Sequence, residues 1–77
     1  MQEFKISLSS FQQVKEFVSL SANQPFPVLV GNDQQEINGK DLMGMFSLDY
    51  SRPLQVKMEC TPEEFLLFRQ ESAQFLI

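Results

Sequence analysis

The chain has 77 residues, of which 43% are hydrophobic and 21% are charged, an ordinary composition for one small folded domain. Its formal net charge is −4 and its six basic residues form no cluster, which excludes the basic patch that nucleic-acid binding requires. It contains no histidine and one cysteine, which excludes histidine acid–base chemistry, the usual zinc ligand sets and an intramolecular disulfide. We therefore expect no metal, no cofactor and no nucleic-acid partner.

The hydropathy of the chain gives no sign of a membrane segment. No apolar run approaches the roughly 20 residues that cross a bilayer, and the N-terminus lacks the basic cluster of a secretory leader. The chain also contains no internal repeat and no linker-like stretch. We therefore expect a single domain over residues 1–77 that resides in the cytoplasm without membrane contact.

Alternation followed by a capping sequence predicts the first strand and the first helix. Apolar and polar residues alternate over residues 2–8, which predicts a strand with one buried face. In Ser9-Ser10-Phe11-Gln12-Gln13 either serine has a glutamine three residues later, so a capping box can begin a helix there. That helix ends before Pro25, because the residue before a proline avoids helical dihedral angles. The side chains expected on its buried stripe are Phe11, Val14, Phe17, Val18 and Ser21.

The middle of the chain predicts a hairpin. A mostly apolar run over residues 26–30 is followed by Gly31-Asn32-Asp33, a tight-turn sequence that returns the chain through residues 34–37. Asn38-Gly39 then makes a second turn. Two strands joined by so short a connection pair in antiparallel fashion.

The second half of the chain predicts two helices around a fourth strand. Asp41 stands at the N-cap position of a short helix over residues 42–48. Residues 54–60 alternate between apolar and polar, which predicts a strand with Cys60 as a small core side chain on its buried face. Thr61-Pro62-Glu63-Glu64 is a strong helix start, and the apolar pattern continues this helix to the C-terminus.

The predicted element order is β-α-β-β-α-β-α. The connections are too short for several parallel crossovers, so the strands favour an antiparallel-dominated sheet with all helices on one face. The sequence therefore predicts an α+β domain of two layers.

The segment from Ile37 to Leu48 reads Ile-Asn-Gly-Lys-Asp-Leu-Met-Gly-Met-Phe-Ser-Leu. It resembles the segment of the histidine-containing phosphocarrier protein (HPr) of the sugar phosphotransferase system in which Val-Asn-x-Lys-Ser-Ile-Met-Gly-Val-Met-Ser-Leu opens the second helix. The resemblance implies the open-faced β-sandwich of that family, a four-stranded antiparallel sheet with three helices on one face. The element order agrees with the family over nearly the whole chain.

The phosphorylation signature of the HPr family is missing from this chain. The family carries Gly-Ile-His-Ala-Arg-Pro at the start of the first helix, whereas the corresponding stretch here is Leu8-Ser9-Ser10-Phe11-Gln12-Gln13. Ser10 aligns nearest to the lost histidine, and a serine does not replace an imidazole that forms a labile phosphoramidate. The resemblance therefore implies a degenerate HPr-like protein, in which Ser10 is expected to act as a helix cap.

The resemblance also places Asp41 where the HPr of many Gram-positive bacteria carries a serine that is phosphorylated for regulation. Asp41 would hold a fixed negative charge in place of a switchable one, and phosphoserine carries more charge and more acceptor oxygens. The plain alternative is an N-cap that interacts with the helix dipole.

Three apolar side chains, Leu42, Met43 and Phe46, fall on one face of the short helix, while Met45 and Leu48 point elsewhere. The resemblance implies that these three positions match the exposed hydrophobic patch with which HPr meets its partners. The alternative is packing against the loop over residues 49–53, or a homodimer contact.

The sequence thus favours a bacterial, HPr-like regulatory protein that binds a protein partner and is not an enzyme. The resemblance suggests a component of the phosphotransferase system or a transcriptional regulator as that partner. Two alternatives stay open, namely a phosphoacceptor or small enzyme that uses the Ser10 hydroxyl, and a structural module that self-associates.

Overall fold

The fold is described by a computed structural model that covers residues 1–77. In chain order the elements are β1 (Gln2–Ile6), α1 (Phe11–Ala22), β2 (Val28–Gly31), β3 (Glu36–Asn38), α2 (Leu42–Phe46), β4 (Leu54–Met58), α3 (Pro62–Glu71) and a 3₁₀ turn (Ala73–Phe75). None of the helices has the length and apolar character that a membrane span requires.

The four strands form one antiparallel sheet in the order β1-β4-β2-β3. At its centre Val56 of β4 lies opposite Phe4 of β1 and Val30 of β2, and all three side chains are buried. The other side of the sheet is polar and carries an ion pair, with 3.2 Å between Lys57 Nζ and Glu36 Oε2. The predicted α+β class, with a four-stranded antiparallel sheet and three helices, is confirmed.

Phe68 joins α3 to the rest of the core. Its fully buried ring has its centroid 5.6 Å from that of Phe4, 6.0 Å from that of Phe17 and 5.8 Å from that of Phe26. Tilted and edge-to-face contacts at these distances are favourable for aromatic rings. Because the three partners come from β1, from α1 and from the segment before β2, one side chain connects three parts of the fold.

Both predicted capping sequences begin helices. At the start of α1, Ser10 Oγ accepts a hydrogen bond from Gln13 N at 3.2 Å, while Gln13 Oε1 accepts one from Ser9 N at 2.7 Å. At the start of α3, Thr61 Oγ1 accepts from Glu64 N at 3.1 Å and Glu64 Oε1 accepts from Thr61 N at 2.9 Å. These bonds satisfy backbone amides that have no partner inside the helix.

The hairpin turn is longer than the sequence pattern predicts. Asn32 Oδ1 accepts hydrogen bonds from Gln34 N at 2.8 Å and from Gln35 N at 2.9 Å, and Asn32 N donates to Gln35 O at 3.0 Å. An asparagine side chain that bonds the backbone ahead of it forms a turn of its own. As a result β3 begins at Glu36, two residues later than predicted.

The last helix ends earlier than predicted. It stops at Glu71, and after the 3₁₀ turn Leu76 pairs with Ile6 on the side of β1 that β4 leaves free. Ser7 N donates to Phe75 O at 2.8 Å, and the Phe75 ring is buried. The chain leaves the helical conformation because this path gives backbone partners to an edge strand and buries an aromatic ring.

The remaining differences concern element ends. β2 begins at Val28, two residues later than predicted, while β1 ends at Ile6, α2 at Phe46 and β4 at Met58, each two residues short of the predicted end. Leu8 and Leu48 lie just beyond two of these ends and are nevertheless buried.

Candidate functional site

An exposed apolar surface lies where the first turn of α1 meets α2. We call it the helix-pair surface, and its side chains are Phe11, Leu42, Met43 and Phe46. Met43 is 77% exposed, Phe11 55% and Leu42 37%, whereas Phe46 is half-buried. Large apolar side chains that are grouped and exposed mark interaction surfaces more often than scattered ones do.

The two faces of α2 differ in burial. Met45 is fully buried and Leu48, just after the helix, is also in the core. Met43 lies on the other face and is open to solvent. A helix of five residues places only part of its surface against the sheet, so its remaining apolar side chains stay exposed.

Phe11 takes part in this surface, although the sequence pattern predicts it on the buried stripe of α1. Its ring stacks on that of Phe46, with the centroids 4.4 Å apart and the planes inclined by 14°. Phe11 is the first residue of α1 and is exposed, whereas Val14, one turn further, is fully buried. The stack also explains why Phe46 is half-buried and not fully exposed. A large ring directly after the N-cap is the one signal in the sequence that could have suggested this position.

Asp41 occupies the N-cap position of α2 but does not cap the helix with its side chain. Instead the carboxylate lies against Gly44, where an added Cβ would be 2.9 Å from Asp41 Oδ2. The expected capping hydrogen bond is therefore absent, and the helix starts with the backbone bond from Met45 N to Asp41 O at 3.0 Å. Because Asp41 is exposed, its carboxylate is accessible at the edge of the helix-pair surface.

A second charge borders the surface on the side of α1. Lys15 Nζ lies 5.5 Å from the centroid of the Phe11 ring, within the range of a cation–π interaction. The apolar side chains thus have a cation next to Phe11 and an anion next to Leu42.

Ser10 lies beside this surface and acts as the N-cap of α1, as predicted. Its hydroxyl oxygen accepts the bond from Gln13 N, and no basic side chain hydrogen-bonds to it. A serine nucleophile needs an adjacent base to activate it. The geometry around Ser10 is that of a structural cap.

A polar depression of about 570 Å³ lies elsewhere, around Asp49, Arg52 and Lys5. Hydrogen bonds from the Ser51 hydroxyl and amide, with the nearby Arg52 charge, hold the pKa of Asp49 below its usual value. Asp49 is exposed and bonded within its own loop, so this depression has the character of a solvated surface.

Cys60 is half-buried and packs against the core, although it lies beyond the end of β4. Burial, with a smaller contribution from the Glu64 charge, raises the pKa of its thiol. A thiol that stays protonated is a poor nucleophile. No group of three or more His, Cys, Asp or Glu side chains is placed to hold a metal ion.

The fold of this chain is similar to a solved structure described as HPr-C-His from Thermoanaerobacter tengcongensis. The TM-score is 0.75 and the sequence identity is 22%, over 96% of this chain and 92% of that chain. No protein-family model matches the chain, and no curated protein sequence matches it. At this identity the likeness establishes an HPr-like fold and not a shared activity.

Proposed function

We propose that this chain is an HPr-like protein-binding module without phosphocarrier activity, and that it binds its partner through the helix-pair surface. The observation that carries the proposal is the Phe11–Phe46 stack, which places an aromatic pair beside the exposed Met43. Aromatic and methionine side chains are enriched at the centres of protein interfaces. The predicted partner is a protein of the sugar phosphotransferase system or a transcriptional regulator linked to it.

The charges at the border of the surface indicate the chemistry of that partner. The carboxylate of Asp41 makes no capping bond, so it is available to an Arg or Lys side chain. Lys15, beside Phe11, favours an acidic group at the opposite border. Complementary charges around an apolar centre orient a partner and set its register. We therefore propose a partner with an apolar groove that carries a basic group on one side.

The residues that replace the phosphorylation signature support the proposed absence of phosphocarrier activity. The chain has no histidine, and Ser10, the nearest counterpart, is engaged as a helix cap. The next residue, Phe11, places an apolar ring at the start of the first helix, where the HPr family carries its phosphorylation signature. A surface of this kind is suited to contact and not to transfer of a phosphoryl group.

A phosphorylation assay tests directly whether the chain lacks phosphocarrier activity. Incubation with enzyme I and phosphoenolpyruvate should add no acid-labile phosphoryl group to the chain, under conditions that fully label an authentic HPr as the positive control. Intact-mass spectrometry reads the result. Stoichiometric labelling of any residue, including Ser10, would support the alternative of a phosphoacceptor.

Self-association is the other alternative, because a helix-pair surface could also meet its own copy. Size-exclusion chromatography with light scattering distinguishes self-association from binding to a different protein. A monomer at micromolar concentration supports binding to a different protein, and a stable dimer that Met43→Ser dissolves supports the self-associating module.

A further inference from the structure

A second concave surface lies between α3 and the segment that leads from α1 into β2. This groove, which we call the α3 groove, has a volume of about 360 Å³. Phe26 is 5% exposed and forms its floor, while Leu67 is 61% exposed at its rim. Pro25 adds a further apolar wall. The α3 groove thus offers a pocket for one apolar side chain.

Two carboxylates also line the α3 groove. Glu64 Oε1 is fixed by the bond from Thr61 N at 2.9 Å, and Glu71 Oε1 accepts a bond from Gln24 Nε2 at 3.2 Å. Neither carboxylate forms a salt bridge, since the ion pair of this chain joins Lys57 and Glu36 on the sheet and Lys40 Nζ donates to Gln24 O at 2.8 Å. Both negative charges are therefore held in place without an ion-pair partner.

The spacing of the two carboxylates sets the distance between the two basic residues of a peptide that could bind both. Glu64 and Glu71 are seven positions apart on α3, which corresponds to about 10.5 Å along the helix axis on the same face. In an extended peptide alternate side chains point to the same face, so residues i, i+2 and i+4 face the groove together and span about 13 Å. Two basic residues four positions apart therefore reach the two carboxylates through their long side chains, and the apolar side chain midway between them matches Leu67 and Phe26.

We propose that the α3 groove binds an extended segment of a partner protein in which two Lys or Arg residues, four positions apart, lie on the same face as a large apolar side chain midway between them. The groove is separate from the helix-pair surface. It adjoins Gln24, after the end of α1, whereas Phe11 begins α1, and the 12 residues of this helix extend for about 18 Å. The chain would then contact partners at both ends of α1.

Titration with a defined peptide tests the proposal. The probe is fluorescein-labelled Gly-Lys-Ser-Phe-Ser-Lys-Gly, and the matched peptides are Gly-Glu-Ser-Phe-Ser-Glu-Gly and Gly-Lys-Ser-Ser-Ser-Lys-Gly. Fluorescence anisotropy gives the affinity, and chemical-shift mapping of the amide NMR signals gives the location. We expect the probe to bind more tightly than both matched peptides and to shift the signals of Phe26, Leu67 and Gln70.

Variants of the full chain separate the α3 groove from the rest of α3. Leu67→Ala should weaken probe binding by about tenfold, because it removes the apolar rim. Leu66→Ala is the matched control, since Leu66 is 56% exposed on the same helix and does not line the groove. Glu64→Gln and Glu71→Gln keep hydrogen-bonding side chains and should each weaken binding by about two- to fivefold and flatten its salt dependence.

Several results would overturn the proposal. Equal effects of Leu67→Ala and Leu66→Ala, equal affinity for the acidic peptide, or shifts confined to the helix-pair surface would each do so. Concentration-dependent self-association that Leu67→Ala abolishes would assign the groove to a second copy of the chain instead. Met43→Ser should leave probe binding unchanged, because Met43 lies on the helix-pair surface. The experiments can therefore contradict the α3 groove proposal without contradicting the proposal for the helix-pair surface, and the reverse.

Discussion

Ser21 and Ser72 carry fully buried hydroxyl groups that have no hydrogen-bond partner. A buried hydroxyl without a partner destabilises the folded state, since it loses its bonds to water. Ser21→Ala should therefore raise the free energy of unfolding by about 1 kcal/mol, part of which is the better helix propensity of alanine. Urea unfolding measures this change.

Ser19→Ala is the matched control, because Ser19 is exposed on the same helix. Ser19→Ala should raise the free energy of unfolding only through the higher helix propensity of alanine, by about 0.5 kcal/mol or less. If Ser21→Ala stabilises no more than Ser19→Ala, the buried hydroxyl costs nothing and this interpretation of Ser21 is wrong.

Two glycines differ in what an added methyl group would meet. At Gly31 a Cβ would clash with the backbone oxygen of Gln35, within the hairpin. At Gly44 it would lie 2.9 Å from the carboxylate of Asp41, which is the mobile end of a side chain. Gly31→Ala should therefore destabilise the chain by about 2 kcal/mol, whereas Gly44→Ala should be neutral or stabilising by up to about 1 kcal/mol. Similar unfolding midpoints for the two variants would contradict this comparison.

At the scale of elements, α3 depends on the capping box formed by Thr61 and Glu64. Thr61→Ala leaves the amide of Glu64 without its acceptor and should cost about 0.5–2 kcal/mol of stability. The loss is visible as a lower melting temperature, because a small domain has a total stability of only about 5 kcal/mol. Thr61→Ser keeps the hydroxyl and should stay close to the parent. A parental melting temperature for Thr61→Ala would show that α3 does not need this cap.

Strand alternation and the two capping boxes were predictable because each depends on residues a few positions apart, whereas the side-chain cap expected of Asp41 is absent. Ser10 and Thr61 begin helices where the sequence predicts them, and residues on the alternating strands face the core. The end of α3 was not predictable in this way. It depends on the contact of Phe75 and Leu76 with β1, which is distant in the sequence. The Asn32 turn lies between these cases, since its side-chain bonds are local, but Gly31-Asn32-Asp33 is compatible with more than one turn length.

At the scale of the whole molecule, the candidate surface was predictable only in part. The sequence places Leu42 and Met43 on one face of α2, and the structure finds both exposed. Only the place of Phe11 directly after the N-cap hints at its contribution, because the stack with Phe46 exists only once α1 and α2 are packed side by side. For the same reason Phe46 is half-buried, and its replacement would alter packing as well as any contact.

Met43 is therefore the better probe of the central proposal, that a protein partner binds the helix-pair surface. The partner is captured from lysate of the source organism, identified, purified and titrated with Met43→Ser, Leu66→Ser and Asp41→Asn. Met43 and Leu66 are both exposed apolar side chains, so the first two variants should keep the parental melting temperature, with changes in stability within about 0.5 kcal/mol.

This titration is the most direct measurement. Met43→Ser should weaken binding by about tenfold or more, as expected for a central contact, while Leu66→Ser stays within about twofold of the parent. Asp41→Asn should weaken binding less and make it less sensitive to salt, because it removes only a charge at the border. If Met43→Ser and Asp41→Asn both bind like the parent, the partner does not use the helix-pair surface, and the proposal is contradicted.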